Sequence, residues 1–268
     1  MTSCTFARVS GSLIVCVSLL GCVRRLLATP PFSQPIAVLA PAPSTSFIIP
    51  FLPPLLWPLA PAKTLTLFHE PFNHLDPTRW REIEASGRTT YTVEDLGGLR
   101  VLKAHATGGA SILLATFRFS PKPYPWVSWR WRIDQPVVGE DLAHKAGSDA
   151  SARIYVYFDT PGPPWQKRSL DYIWSVTQPA ETLFTSPYSK HSKMLVVERG
   201  DGHTGRWSAV SRNIRDDYRR CFGGEAPDVV AVGVMTDSDN TKSDVVTYYD
   251  DLMVTRQRPA IPPDGLLP

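Results

Sequence analysis

WVSWRWRID, residues 126–134, puts Val127, Trp129, Trp131 and Ile133 on one side of an extended chain and Ser128, Arg130, Arg132 and Asp134 on the other. That period of two is the signature of a strand with one face in a core. ARIYVYFD (152–159) repeats the pattern, sorting Ile154, Val156 and Phe158 from Arg153, Tyr155, Tyr157 and Asp159. Working outward, the same alternation predicts strands at 64–68, 99–106, 111–119, 170–176, 193–200, 228–237 and 245–254, separated by Gly, Pro, Asn and Asp. Thr107-Gly108-Gly109 between the second and third of these reads as a hairpin turn. Strands without alternating long helices exclude a parallel α/β fold. The expectation is an all-β protein, an antiparallel two-sheet jelly-roll sandwich (concanavalin-like or galactose-binding-like) over residues 63–258. It carries one short helix: Asn213 can cap it, Ile214, Tyr218 and Cys221 share a face, and Gly223-Gly224 ends it.

Residues 1–62 hold ten of the 26 prolines and no acidic residue, so they read as a leader outside the fold, and residues 259–268 read as a frayed tail. The apolar run 12–23 has signal-peptide length and follows Arg8. Leu19-Leu20-Gly21-Cys22 resembles a lipobox, which would anchor the chain by lipid at Cys22; an ordinary apolar run containing Cys explains the same residues. Arg24-Arg25 oppose translocation there, and instead suit a signal ending at Ala60-Pro61-Ala62. Both readings imply export to the periplasm or beyond, with no integral span in the mature domain. Cys221 alone remains in the domain, which excludes an intradomain disulfide and marks it as a small buried hydrophobe. The net charge of +3 is that of Arg8, Arg24 and Arg25, so the domain is balanced, which argues against nucleic acid or anionic lipid as partner.

Several blocks resemble one family: WRWRID (129–134), DASARIYVYFD (149–159), LDYIW (170–174), RNIRDDYRRCFG (212–223), VMTDSDNT (234–241) and YYDDL (248–252). Their order and spacing are similar to the bacterial domain of unknown function numbered 3047. The resemblance implies an exported β-sandwich and no particular activity. Likeness to jelly-roll carbohydrate-binding domains is at the level of architecture.

The polar faces of the strands at 126–134 and 152–159 supply the leading binding candidates, Arg130 and Arg132 meeting Arg153, Tyr155 and Tyr157. Guanidinium groups grip carboxylates or vicinal hydroxyls and Tyr rings stack on pyranose faces, so a glycan is the expected partner, one bearing uronic acids among the options. A solvated face laced with pairs such as Arg132 with Asp159 or Asp149 with Arg153 is the plainer alternative. Trp165, in a stiff Pro/Gly loop, is the candidate platform; Trp129 and Trp131 read as core. Asp237, Asp239 and Asn240, with Asp244, Asp250 or Asp251 to complete the shell, offer oxygen ligands for a structural Ca²⁺, and an ion-free Asx turn is the plainer account of the same residues. Enzyme readings remain open as alternatives. Glycosidase carboxylates would come from Glu140, Asp141, Asp149 and Glu198, and a lyase set from Arg168, Tyr188 and His191. A third reading is an envelope interaction domain without a small ligand. Motifs of serine hydrolases, zincins, P-loop NTPases and thiol redox proteins are missing.

Overall fold

The computed structural model describes residues 65–200 and 204–260. The leader, the lipobox at Cys22 and most of the tail lie outside them. In chain order the strands are β1 (Thr66–Glu70), β2 (Trp80–Ser86), β3 (Thr90–Asp95), β4 (Arg100–Thr107), β5 (Ala110–Phe119), β6 (Trp126–Gln135), β7 (Ala152–Phe158), β8 (Ser169–Ser175), β9 (Leu183–Thr185), β10 (Ser192–Arg199) and β11 (Ser208–Asn213). Helix α1 (Ile214–Phe222), β12 (Val229–Asp237) and β13 (Asp244–Thr255) complete the order. They form a two-sheet sandwich of jelly-roll type. One sheet runs β11-β6-β13-β4-β3, with β1 also on β13; the other runs β2-β5-β12-β7-β8-β10-β9. The first described strand lies beside the last, β1 pairing antiparallel with β13. All pairs are antiparallel except β8 with β10, which run parallel because residues 176–191 carry the chain back before β10 begins.

Alternating residues fill the space between the sheets. Trp129 and Trp131 are 1% and 0% exposed, in contact edge to face with ring centroids 5.3 Å apart. Across the interface Trp129 meets Tyr172 at 5.3 Å and Trp131 meets Trp174 at 5.8 Å. Burying aromatic rings of this size is the largest single contribution a core residue makes. Both tryptophans are therefore structural, as their alternation predicted. Tyr249 of β13 crosses to the opposite sheet, where its hydroxyl donates to Met235 O (2.6 Å) and accepts from Arg153 N (3.3 Å). This core hydroxyl pins the start of β7 and the end of β12, the two places that hold the charged residues described below.

The helix forms as expected. Asn213 Oδ1 accepts from Arg215 N (3.1 Å) and Asp216 N (3.4 Å), and Gly223 ends the helix at φ 71°. Ile214 and Tyr218 are buried, and Cys221 packs partly buried against the same core. Burial pushes the Cys221 thiol up to about 11, which leaves it a poor nucleophile.

Two local expectations fail. Residues 99–106 and 111–119 are not a hairpin: β4 pairs with β13 and β3, whereas β5 pairs with β12 and β2 in the other sheet. Gly108 takes φ +78°, and a Cβ on Gly109 would lie 2.4 Å from Arg88 O, so this pair lets the chain step between layers. Four short strands, β2, β3, β9 and β11, escaped the pattern; β2 has charged or exposed residues at most positions and β9 has three residues. If close packing makes Gly109 necessary, Gly109→Ala lowers unfolding free energy by about 2–3 kcal/mol, against about 1 kcal/mol for Gly97→Ala, whose added Cβ meets nothing within 4 Å. Urea denaturation of both variants checks this, and equal losses would contradict it.

Candidate functional site

The outward face of the seven-stranded sheet floors a cleft of about 650 Å³. Its floor is mostly apolar: Ile112 and Leu114 from β5, Ala231 and Met235 from β12, Tyr155 and Tyr157 from β7. Gly233, opposite Tyr155, leaves room for this, since a Cβ there would lie 3.0 Å from Leu114 Cδ1 and 3.1 Å from Ile112 Cγ2. Tyr155 and Tyr157 stand side by side on one strand face, with ring centroids 5.6 Å apart and planes within 9°. Beyond the C-terminal end of β7, Trp165 sits on a 3-10 turn (Pro164–Gln166) with 77% of its surface exposed. Tyr188 stands on the rim nearer Asp237, its hydroxyl donating to Asn240 Oδ1 at 2.8 Å.

The polar end is built from β7, β8 and β12. Arg153 and Asp237 are each 4% exposed; Arg153 Nε donates to Asp237 Oδ1 at 3.0 Å and Nη2 to Oδ2 at 3.2 Å. Arg153 Nη2 also donates to Ser148 O. A buried ion pair of this kind is tolerated because the desolvated charges are matched by geometry and hydrogen bonds. Asp171, 1% exposed and beside Tyr155 in the β7–β8 register, accepts from Ser169 Oγ (2.7 Å) and from Ser192 Oγ. Burial pushes Asp171 up to about 6, against the pull of the two hydroxyls and of Arg153. Burial likewise pushes Asp237 up to about 6, against the attraction of Arg153 and with the help of nearby Asp149.

The predicted residues are thereby divided. Arg153, Tyr155, Tyr157 and Trp165 share the cleft. Arg130 and Arg132 do not join them, because β6 belongs to the other sheet and its polar face points the opposite way. Arg130, 3% exposed, donates through Nη2 to Asp250, lies 2.9 Å from Asp251 and has its guanidinium 5.3 Å from the Trp207 ring centroid. Arg132 pairs with Asp134, at 2.6 Å from Nε and 2.9 Å from Nη2. The two suggested cross-strand pairs are replaced: Asp159 binds Arg118 and Lys167, and Asp237 rather than Asp149 takes Arg153.

The acidic segment differs in the same way. Asp149, Asp237 and Asp239 bring one carboxylate oxygen each within 4.8 Å of the others, a spacing that could hold a metal ion. Asp250 is not among them, since it sits on the opposite sheet under Arg130. Asn240 instead donates to Asp149 Oδ1 at 2.8 Å. Both oxygens of Asp149 accept from Asn240 and Thr241, at 2.6 to 3.2 Å, and both oxygens of Asp237 accept from Arg153. Two of the three carboxylates are thus satisfied by protein donors, and an ion would have to displace them. The enzyme sets are not assembled. Glu140 accepts from Ser175 Oγ, Val176 N and the Thr177 hydroxyl, and Asp141 pairs with His144. Arg168 and His191 line a separate groove of about 330 Å³, with Arg168 Nη1 on Tyr218 Oη at 2.8 Å, while Tyr188 belongs to the main cleft.

Asp171 is the residue that sequence reasoning passed over. Its signal was present, because LDYIW alternates and places Asp171 on the outward side of β8, between inward Leu170 and Tyr172.

Residues 78–253 match the model of the family described as "Protein of unknown function (DUF3047)". The chain belongs to that family. The match runs from just before β2 into β13 and so takes in every DUF3047 residue placed in the cleft above. A search of the curated proteins found no match. Among solved structures, this DUF3047 chain overlaps the "Cellulose induced protein, Cip1" over 71% of its own length and 97% of that chain, at 12% identity and TM-score 0.36. It overlaps the family 11 xylanase from Neocallimastix patriciarum over 65% and 98%, at 9% identity and TM-score 0.31. It also overlaps the enzymatically active domain of bacteriophage CBA120 tailspike protein 4 over 66% of its length at 9% identity and TM-score 0.33, spanning 19% of that chain. Superpositions this loose carry no argument about ligand or activity. Among the described residues no helix is long and apolar enough to cross a membrane.

Two outcomes follow from the polar end. A carboxyl whose pKa is raised on folding binds its proton more tightly in the native state, so stability falls as pH rises from about 4 to about 6 and is level above. Asp171→Asn is therefore expected to gain on the order of 3 kcal/mol on the unsubstituted protein between pH 4 and pH 7 in urea unfolding, and a constant difference would contradict the assignment. Because Asp149 and Asp237 already hold protein donors, millimolar Ca²⁺ is expected to leave the melting temperature where a chelator leaves it; a rise of several degrees would instead place an ion at the trio.

Proposed function

We propose that this protein is an exported, non-catalytic glycan-binding module whose ligand lies in the cleft on the seven-stranded sheet. The observation that carries the reading is the pairing of an aromatic floor, Tyr155 beside Tyr157, with a polar end containing Asp171, Ser169 and Ser192. A pyranose presents an apolar face of C–H groups and a rim of hydroxyls. The first stacks on tyrosine or tryptophan; the second donates to carboxylates and exchanges hydrogen bonds with serine hydroxyls. Trp165 extends the aromatic surface past the end of β7, where a further sugar unit would rest. A binding role is favoured over hydrolysis or elimination because Glu140 and Asp141 are held by their own neighbours, Asp149 by Asn240 and Thr241, and Arg168 and His191 line a groove apart from Tyr188. Export is supported by the apolar, acid-free leader and its Ala60-Pro61-Ala62 ending. N-terminal sequencing of material recovered outside the cytoplasm tests that part, and recovery of the chain only in the cytoplasm would reject it.

Binding is tested on a glycan array, with affinity then measured by calorimetry for the best-retained oligosaccharide. Trp165→Ala removes an exposed ring with little cost to folding and is expected to weaken binding about tenfold, and Tyr157→Ala by at least as much. No retained glycan, or retention indifferent to both substitutions, would overturn the reading.

A further inference from the structure

The cleft's charge distribution bears on which glycans it accepts. Three carboxyl groups line it, Asp171, Asp237 and Asp239, against two cations, Arg153 and Lys167. Both cations are already engaged. Arg153 gives Nε and Nη2 to Asp237, and Lys167 gives its ammonium to Asp159 Oδ1 (2.9 Å) and Thr160 O (2.6 Å). Lys145, with its ammonium 5.4 Å from the Tyr188 ring centroid, is not among the lining residues. Among the described residues neither Asp171 nor Asp239 has a cation within ion-pair distance. Each oxygen of Asp171 receives a single serine hydroxyl and keeps capacity for a further donor. Asp149, whose oxygen lies within 4.8 Å of those of Asp237 and Asp239, adds another negative charge behind the same end.

A second observation points at a ligand. Ser148 Oγ is buried on a residue 1% exposed, lines the cleft, and has no hydrogen-bond partner. Among the described residues the hydroxyls of Ser128 and Ser211 are also buried without a partner, but they lie on the other sheet; Ser148 is the one whose residue lines the cleft, where a ligand donor would find an acceptor with free capacity.

Resting on the glycan reading, we propose that the ligand is a glycan with free amino groups, its ammonium drawn to the end of the cleft formed by Asp171, Asp237, Asp239 and Ser148. A uronate, which the surface arginines of the sequence suggested, meets the opposite field: Arg130 and Arg132 lie on the far sheet and Arg153 is neutralised by Asp237. An ammonium supplies the counter-charge that Asp171 and Asp239 lack, and its three N–H groups match the carboxylate and hydroxyl acceptors. The apolar floor still takes the ring face, so the charge selects among glycans that the tyrosines retain.

The test is an array of hexasaccharides in which each linkage is present in neutral, amino and uronate forms, probed with the full domain. The amino member of a retained triplet is expected to bind about tenfold tighter than its neutral counterpart, and the uronate more weakly than either. That preference is expected to shrink as NaCl is raised from about 0.05 to about 0.5 M, since charge attraction is screened while stacking is not. Asp171→Asn is expected to remove most of it while keeping the neutral member bound. Equal binding of amino and neutral forms, a uronate preference, or an amino preference insensitive to salt would overturn the inference and leave the glycan reading standing. Retention of no member at all would overturn both. If Asp171→Asn does not fold, the salt titration of the unsubstituted protein decides.

Discussion

The contact of Trp129 and Trp131 on one sheet with Tyr172 and Trp174 on the other sets where everything else lies. Once those four rings face inward, the period of two leaves no choice for their neighbours: Arg130 and Arg132 must point out of one side of the sandwich, and Arg153, Tyr155 and Asp171 out of the other. The same constraint that makes the core thus separates the basic residues of β6 from the cleft. Slipping β7 by one residue would bury Arg153 and Tyr155 among the tryptophans, which the loss of apolar burial forbids.

Charge in the cleft is governed by depth. Arg153 and Asp237 are buried together and largely cancel, with the Tyr249 hydroxyl reaching through the core to hold the backbone of β7 and β12 in place. Asp171 is as deeply placed and is met by hydroxyls in place of a cation, so its carboxyl sits at about 6. Asp250 on the opposite sheet is also raised to about 6, by burial and by adjacent Asp251, but lies directly on Arg130 and lines neither the cleft nor the smaller groove. Raised carboxyls are therefore not markers of a site here; the accompanying cavity is what distinguishes Asp171.

How much was legible in the chain follows from the range of each interaction. Alternation is local, so the long strands, the roles of Trp129 and Trp131, the cap at Asn213 and the outward direction of Arg153, Tyr155 and Tyr157 could all be read directly. Which sheet a strand joins is not local. Arg130 and Arg153 carry the same one-strand signal, and only the pairing of β6 with β13 and β11, against β7 with β12 and β8, tells them apart. The Thr107-Gly108-Gly109 turn misled for the same reason, since two glycines permit a tight hairpin and a step between layers alike. For Asp171 the alternation showed only its outward direction: a lone acid in an apolar run carries no motif, and its importance arises from Tyr155 on the next strand and from Ser192, 21 residues away.

The last of the described strands occupies an interior position in its sheet. β13 lies between β6 and β4 and also receives β1, so it supplies hydrogen-bond partners to three strands made long before it. While the ribosome is still short of residue 244, that sheet lacks its spine, and β1, β4 and β6 have no mutual edges to close upon. That sheet can therefore close only once β13 has been made, a late and long-range step of the kind that slows folding.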